Sequence, residues 1–296
     1  MKLGFIGIGS IGTPMARRLR AAGHELVVLD TNRQAAEAFA CDGGTVAATP
    51  KEVGDTAEIV FYSLPTPAVV REVTLGKGGL ADGSKVRLIV DLSTTGPTVA
   101  AEVARLASAR GKQVLDAPVS GGVAGAEKGT VAVMFAGPRA AFDEVKPLLE
   151  VIGRVFYIGE VVGQGHAMKL LNNILSATAV AATTEVVALG VKTGLDPKVM
   201  IDVLNASSGQ NSATRDKYPR SILNRTFNYG FRTDLMLKDI RLCQQFAREQ
   251  NVQLRIGDAV VATWTLVEPE FADADYTNIA RVLEREAGVT IGREEA

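Results

Sequence analysis

Three sets of residues in this chain have types and spacings suited to chemistry. The first is Gly7, Ile8, Gly9, Ser10, Ile11 and Gly12, whose glycines read G-x-G-x-x-G. The set follows the apolar run KLGFIG, opens a helix-like segment with Pro14 in its first turn, and precedes a second apolar run, ELVVLD, that ends at Asp30. In that setting the first glycine permits a tight turn, the second lets the backbone approach a pyrophosphate, and the third lets helix and strand pack closely. The free N–H groups at the helix start then face the anion. Asp30 is placed to accept hydrogen bonds from both ribose hydroxyls of an adenosine, which favours NAD over NADP; Arg33, in the same loop, is the residue that could serve a 2′-phosphate instead. The second set is Ser120, Gly121 and Gly122, a hydroxyl beside bare backbone N–H groups. Such a turn can form an anion-binding concavity for a carboxylate, or can be an ordinary turn. The third lies in GHAMKLLNNIL, where Lys169, Asn172, Asn173 and Ser176 fall at i, i+3, i+4 and i+7 and share one helix face. No charged residue occurs from Leu170 through Thr184, whereas solvated helix faces usually carry Glu and Lys pairs. This face is expected to line a cleft.

These residues need a frame. In the first half, KLGFIG, ELVVLD, EIVFYS, VRLIVDLS and QVLDAP alternate with helix-like segments such as PMARRLRAAG and GPTVAAEVARLASARG. Continuous apolar strands separated by helices predict a parallel sheet covered on both faces, a doubly wound α/β domain over residues 1–163. TVAVMFAG and RVFYIG should complete the sheet. Three loops then lie at the carboxyl ends of strands, where ligands of open α/β sheets sit. SLPTP offers an apolar wall in Leu64 and Pro65, DLSTTGP offers the hydroxyls of Ser93 and Thr94, and DAPVSGG contains the Ser120 turn. Beyond Gly163 the strand signal stops, and residues 164–296 read as an all-α domain. Its first helix should run from roughly His166 to Lys192, ended by Gly194 and Pro197, and be buried in that domain and in a subunit contact. Lys238 and Asp239 sit between apolar residues in LMLKDIRLC, either as a surface pair or facing a pocket. The polar run SSGQNSATRDKYPR either lines a substrate pocket or forms a loop, and the terminal GREEA reads as a frayed acidic tail.

Composition narrows the partners. The chain has 296 residues, 47% of them hydrophobic and 22% charged, with a formal net charge of −1, so no basic excess exists to attract nucleic acid or an anionic membrane. A small molecule is the expected ligand. Two cysteines, Cys41 and Cys243, and two histidines, His24 and His166, do not make a structural zinc site and fit a reducing compartment. The start MKLGFIGIGS becomes glycine-rich too early for a signal peptide. The apolar ILSATAVAATTEVVALGV is interrupted by Thr183, Thr184 and Glu185, so a membrane span is not expected and a cytoplasmic protein is.

Taken together, GFIGIGSIGTPMARRL, DAPVSGG, GQGHAMKLLNN and FRTDLMLKDI, in this order over nearly the whole chain, resemble the β-hydroxyacid dehydrogenase family, which includes 3-hydroxyisobutyrate dehydrogenase and tartronate semialdehyde reductase. The resemblance implies a Rossmann domain followed by a helical domain, a homodimer or homotetramer, an NAD(P) cofactor and a small hydroxyacid substrate. It implies that Lys169 is the catalytic acid/base with Asn173 as its companion. Ser120, Gly121 and Gly122 would hold the substrate carboxylate, Thr94 would border the nicotinamide, and Lys238 would close over cofactor and substrate. The glycine-rich approach GEVVGQG carries one residue more between Gly159 and Gly163 than the family usually has. A lysine exchanges protons near neutral pH only where desolvation or a nearby positive charge lowers its pKa. Imine reductases share the architecture but generally replace the lysine, so its presence favours alcohol and aldehyde chemistry over imine reduction and over a cofactor-binding module without turnover.

Overall fold

The computed structural model describes residues 1–41 and 43–293, so the last three residues of the acidic tail lie outside the described residues. The chain divides into two compact units, Met1–Lys169 and Leu170–Ala296.

Among the described residues the first unit is built on nine strands: β1 (Lys2–Ile6), β2 (Glu25–Leu29), β3 (Thr45–Val46), β4 (Ile59–Tyr62), β5 (Leu88–Asp91), β6 (Gln113–Asp116), β7 (Val119–Ser120), β8 (Val131–Ala136) and β9 (Gly153–Gly159). Their order is 3-2-1-4-5-6-8-7, with β9 on the other side of β8. The first six pair in parallel. This is the doubly wound arrangement, whose order reverses between β1 and β4. Alternate residues of one strand feed two separate cores, Phe5 and Phe61 on one face, Ile6, Val60 and Tyr62 on the other. Burial on both faces is why these strands read as unbroken apolar runs. Helices α1 (Gly12–Ala21), α2 (Arg33–Cys41), α3 (Pro50–Thr56), α4 (Pro67–Leu75), α5 (Pro97–Ser108), α6 (Gly122–Lys128) and α7 (Arg139–Ile152) connect them. Met15 and Leu19 of α1 and Phe142 and Leu149 of α7 fill the first core; Val53 of α3 and Val103 of α5 fill the second.

The run TVAVMFAG does join the sheet, but as β8 it lies antiparallel to β6 and β7, a departure from the all-parallel expectation. The connection from β7 to β8, residues 121–130 with the short α6 inside it, falls below the dozen or more residues of a parallel crossover, so the chain turns back beside the strand it has just left. Helix α7 then makes the parallel return to β9.

The second unit is helical: the continuation of α8 (Gln164–Lys192), then α9 (Pro197–Asn205), a π-helical segment (Ala213–Ile222), α10 (Thr233–Glu249), α11 (Arg255–Thr265), α12 (Glu268–Phe271) and α13 (Ile279–Ala287). Gly194 ends α8 with φ of 93°, and Asp196 caps α9 by accepting from the N–H groups of Lys198 and Val199. Pro219 brings no N–H to the π-helical segment, where the widened ladder pairs Leu223 N–H with the Tyr218 carbonyl at 2.9 Å. The core centres on Trp264, which is fully buried, stacks on Tyr276 at 5.8 Å and donates Nε1–H to the Ala177 carbonyl at 3.2 Å.

Helix α8 contributes Leu170, Ala177, Val180 and Val187 to the buried side and leaves Leu171, Leu175, Val186 and Leu189 exposed in the single chain. By length and composition it is apolar enough to cross a membrane, its most apolar 18 residues having a mean hydropathy of 1.7, although half of that stretch is buried inside the protein.

Candidate active site

Strand register brings the loops of the first unit together. Ile6 lies opposite Leu29 and Tyr62, Tyr62 opposite Asp91, and Asp91 opposite Asp116, so the residues that follow each strand emerge side by side at one edge. Gly7, Asp30, Ser63–Leu64, Ser93–Thr94 and the approach to Ser120 all belong to this edge.

The glycine turn has the shape a dinucleotide requires. Gly7 has φ of 94°, and a Cβ there would stand 2.2 Å from the Ser63 carbonyl oxygen; a Cβ on Gly12 would stand 1.8 Å from the Gly7 carbonyl oxygen. Neither position admits a side chain. A Cβ on Gly9, by contrast, meets nothing within 4 Å, which leaves open space above the turn. Helix α1 starts there without a side-chain cap or an acidic residue in its first turn, so its N–H groups and dipole remain available to a phosphate. The cradle fits a pyrophosphate. Asp30 accepts from Ile8 N–H at 2.6 Å and from Asn32 N–H at 2.7 Å, which ties the turn to β2 while leaving each oxygen a further lone pair. Arg33 is bound to Glu37 on the following helical turn at 2.8 Å.

Beside the turn, Ser93 Oγ accepts from Leu64 N–H at 2.9 Å, and Ser93 N–H donates to Asp91 at 2.7 Å. Leu64 is half-buried and Pro65 exposed, with Thr94 half-buried in the next loop. At the third loop, Gly121 and Gly122 have φ of 142° and 66°, so two successive residues take backbone conformations that side chains rarely adopt, next to the half-buried Ser120. A Cβ on Gly122 would meet nothing within 4 Å, which leaves its backbone approachable.

Sequence reasoning missed the device that anchors the lysine helix. His166, in the first turn of α8 and fully buried, lies with Nε2 at 3.3 Å from Asp91 and 3.5 Å from Asp116, and Thr95 N–H approaches its Nδ1 at 3.4 Å. With Nδ1 receiving an N–H, Nε2 carries the proton and points between the two carboxylates. Asp116 also accepts from Gly163 N–H at 2.6 Å and Gly165 N–H at 3.1 Å. The GEVVGQG loop is therefore pinned to the end of β6. Burial raises the Asp116 carboxyl above its ordinary value, against the opposing pull of His166 and the two N–H groups. The neighbouring Asp91 charge raises it further. Lys169 follows His166 by three residues on the same helix and is buried to 8% exposure.

One helical turn later, Asn173 is buried and donates Nδ2–H to Asp239 at 2.6 Å, while Asn172 donates to Asn173 Oδ1 at 3.0 Å. Asp239 is 2% exposed and also meets Lys238 Nζ at 2.9 Å, so Lys238 and Asp239 are not a surface pair. The arrangement fixes which way the Asn173 amide points, because its NH₂ is committed to the carboxylate. Apolar residues on both sides of KD in LMLKDIRLC were the available signal for a buried Asp239.

A domain model described as the NAD binding domain of 6-phosphogluconate dehydrogenase matches residues 2–159, and one described as the NAD-binding domain of NADP-dependent 3-hydroxyisobutyrate dehydrogenase matches residues 163–283. The chain is 36% identical to 2-(hydroxymethyl)glutarate dehydrogenase of Eubacterium barkeri over 86% of its length and 85% of that protein. It is 34% identical to 3-hydroxyisobutyrate dehydrogenase of Pseudomonas aeruginosa over 95% of its length and 97% of that protein. Among solved structures, Mycobacterium tuberculosis 3-hydroxyisobutyrate dehydrogenase with L-serine superposes with a TM-score of 0.87 at 31% identity, covering 95% of this chain and 98% of that one.

Proposed function

Because the chain belongs to the β-hydroxyacid dehydrogenase family and is an NAD(P)-dependent oxidoreductase, we propose that it interconverts a small β-hydroxyacid and its aldehyde or ketone, with Lys169 as the general acid/base. The observation that carries this reading is a buried lysine on the helix that His166 anchors between Asp91 and Asp116, at the strand edge that also bears the glycine turn. When bound, the nicotinamide would supply the hydride acceptor or donor. In oxidation, neutral Lys169 takes the proton from the substrate hydroxyl as that carbon loses hydride; in reduction, its ammonium returns the proton to the developing alkoxide. Asn173, oriented by Asp239, hydrogen-bonds the substrate hydroxyl without adding a charge. Ser120 and the N–H groups of Gly121 and Gly122 hold the substrate carboxylate, which orients the reacting carbon. Leu64, Pro65 and Thr94 would border the nicotinamide, and Lys238 would bind cofactor and substrate. Initial rates of NADH and NADPH formation at alkaline pH across 3-hydroxyisobutyrate, glycerate, serine, threonate and 2-(hydroxymethyl)glutarate test the class. Failure of every hydroxyacid to reduce either cofactor, with cofactor binding intact, overturns it.

NAD is the proposed preferred cofactor. Support comes from the Asp30 carboxylate at the end of β2, which would meet a 2′-phosphate with repulsion, and from the pairing of Arg33 with Glu37. Asp30→Ala is expected to raise the NAD KM about 10- to 100-fold, the worth of charged hydrogen bonds of about 1.5–3 kcal/mol, and to narrow the NAD:NADP ratio of kcat/KM. An unaltered ratio in that variant removes Asp30 from cofactor choice. We also propose that the protein works as a homodimer or homotetramer, a reading supported by the exposed Leu175 and Leu189 on α8.

A further inference from the structure

Within the second unit a cavity of about 490 Å³ is lined by Gln210, Asn211, Ser212, Arg215, Asp216 and Lys217. Lys217 is more than nine-tenths buried, at 7% exposure, and lines this space. Its ammonium has no hydrogen-bond acceptor among the described residues, and Tyr229 presents its ring face at 5.4 Å. The neighbouring carboxylate is already engaged: Asp216 accepts from Arg220 at 3.0 Å and from the Tyr229 hydroxyl. Arg215 is exposed and adds a second cation to the lining. Arg220 and Lys217 both act on the Asp216 carboxylate, whose oxygens are bonded to Arg220 and Tyr229, while Arg215 adds exposed positive charge to the lining. The Lys217 side chain is largely buried while its nitrogen keeps access to this space, and burial lowers its pKa. The lining sets two cations, Arg215 and Lys217, against one carboxylate, Asp216, and so has an excess of positive charge for a further oxygen anion.

We propose that this cavity is an anion-binding site in which Lys217, assisted by Arg215, holds a carboxylate. A chain of contacts links it to the face of α8 that carries Asn173: Lys217 lies over Tyr229, Tyr229 meets Tyr276 edge-on at 5.7 Å, and Tyr276 lies near Ser176. The carboxylate is either the far acid group of a dicarboxylic substrate, an assignment that rests on the hydroxyacid reading above, or a separate small acid.

Calorimetric titration of glutarate, which has no hydroxyl to oxidise, into the NADH-saturated protein tests the site directly. Saturable binding is expected, weakened at least about tenfold by Lys217→Met and restored to within a few-fold by Lys217→Arg. No saturable heat with folded wild-type protein, or equal affinity in Lys217→Met, overturns the proposal. If Lys217→Met does not fold, Arg215→Ala on the exposed side of the cavity must weaken glutarate binding several-fold, and unchanged binding there overturns it. The ratio of kcat/KM for 2-(hydroxymethyl)glutarate to that for 3-hydroxyisobutyrate separates the two sources. A tenfold fall of this ratio in Lys217→Met assigns the anion to the substrate, whereas an unchanged ratio with weakened glutarate binding assigns it to a separate acid. Absence of turnover with every hydroxyacid would count against the hydroxyacid reading alone, since the glutarate titration decides the Lys217 site without catalysis.

Discussion

Replacing Lys169 by alanine is expected to lower kcat by about 10²–10⁴-fold, the usual worth of a positioned general acid or base, while NADH still binds with wild-type affinity. The side chain is buried at 8% exposure on α8, three residues from His166, and does not belong to the glycine turn or its Asp30 brace. Its loss should therefore fall on proton transfer and leave the nucleotide cradle intact. Single-turnover measurement of hydride transfer reads the step itself, and cofactor fluorescence titration reads the cradle. Partial recovery of turnover with added methylamine, rising with the concentration of its free base, would distinguish proton transfer from packing. A variant that keeps more than a few per cent of the wild-type rate would exclude Lys169 as the acid/base.

The second large effect concerns stability. His166→Ala removes the imidazole set between Asp91 and Asp116, leaving two buried carboxylates without it. Breaking a buried pair by removing one partner costs about 3–5 kcal/mol, which for a protein of this size corresponds to a Tm lower by roughly 6–20 °C. The sign of the pH dependence follows from Asp116. Its carboxyl is held above its ordinary value by burial and by Asp91, with His166 opposing, so removing His166 pushes it further up. Between the unfolded carboxylate value and that raised value, the folded protein holds a proton that the unfolded chain has lost. Stability therefore falls as pH rises through this window and is greatest below it. The Tm gap between wild type and variant should widen from pH 5 to pH 8; a gap that is constant or narrows would show that the carboxylates are not balanced by the imidazole.

The nucleotide turn was legible in the sequence because it is local. Gly7, Gly9, Gly12 and Asp30 lie within two strands and one helix, and the reason for each glycine is a contact made inside that unit. The helix face of Lys169 and Asn173 was legible for the same reason, since period 3.6 fixes it without tertiary information. The His166 device was not. Its three members come from residues 91, 116 and 166, and they meet only because β5 and β6 pair in a register that sets Asp91 opposite Asp116. Read alone, each aspartate is a strand-end acid before a turn. The direction of β8 was equally hidden, because a buried apolar run carries no mark of parallel or antiparallel pairing; only the brevity of the connection that holds α6 decides it. Asp239 stood beside Lys238 in plain view, but charge spacing alone does not separate an exposed pair from one whose carboxylate turns inward to an asparagine two helices away. The polar run before Tyr218 lines a cavity, and from Ala213 it does so as a π-helix, a ladder that polarity and proline disguise as loop.

Trp264 is the chain's one tryptophan, and it is fully enclosed in the helical unit, stacked on Tyr276. Nature has thus given one half of the molecule a private optical signal. Its indole emission should be blue-shifted in the native state and move to the red only when that half opens, while far-ultraviolet dichroism follows both halves together. Coincident curves in a urea titration would mean that the two halves melt as one cooperative body; separated curves would mean that each has a melting transition of its own.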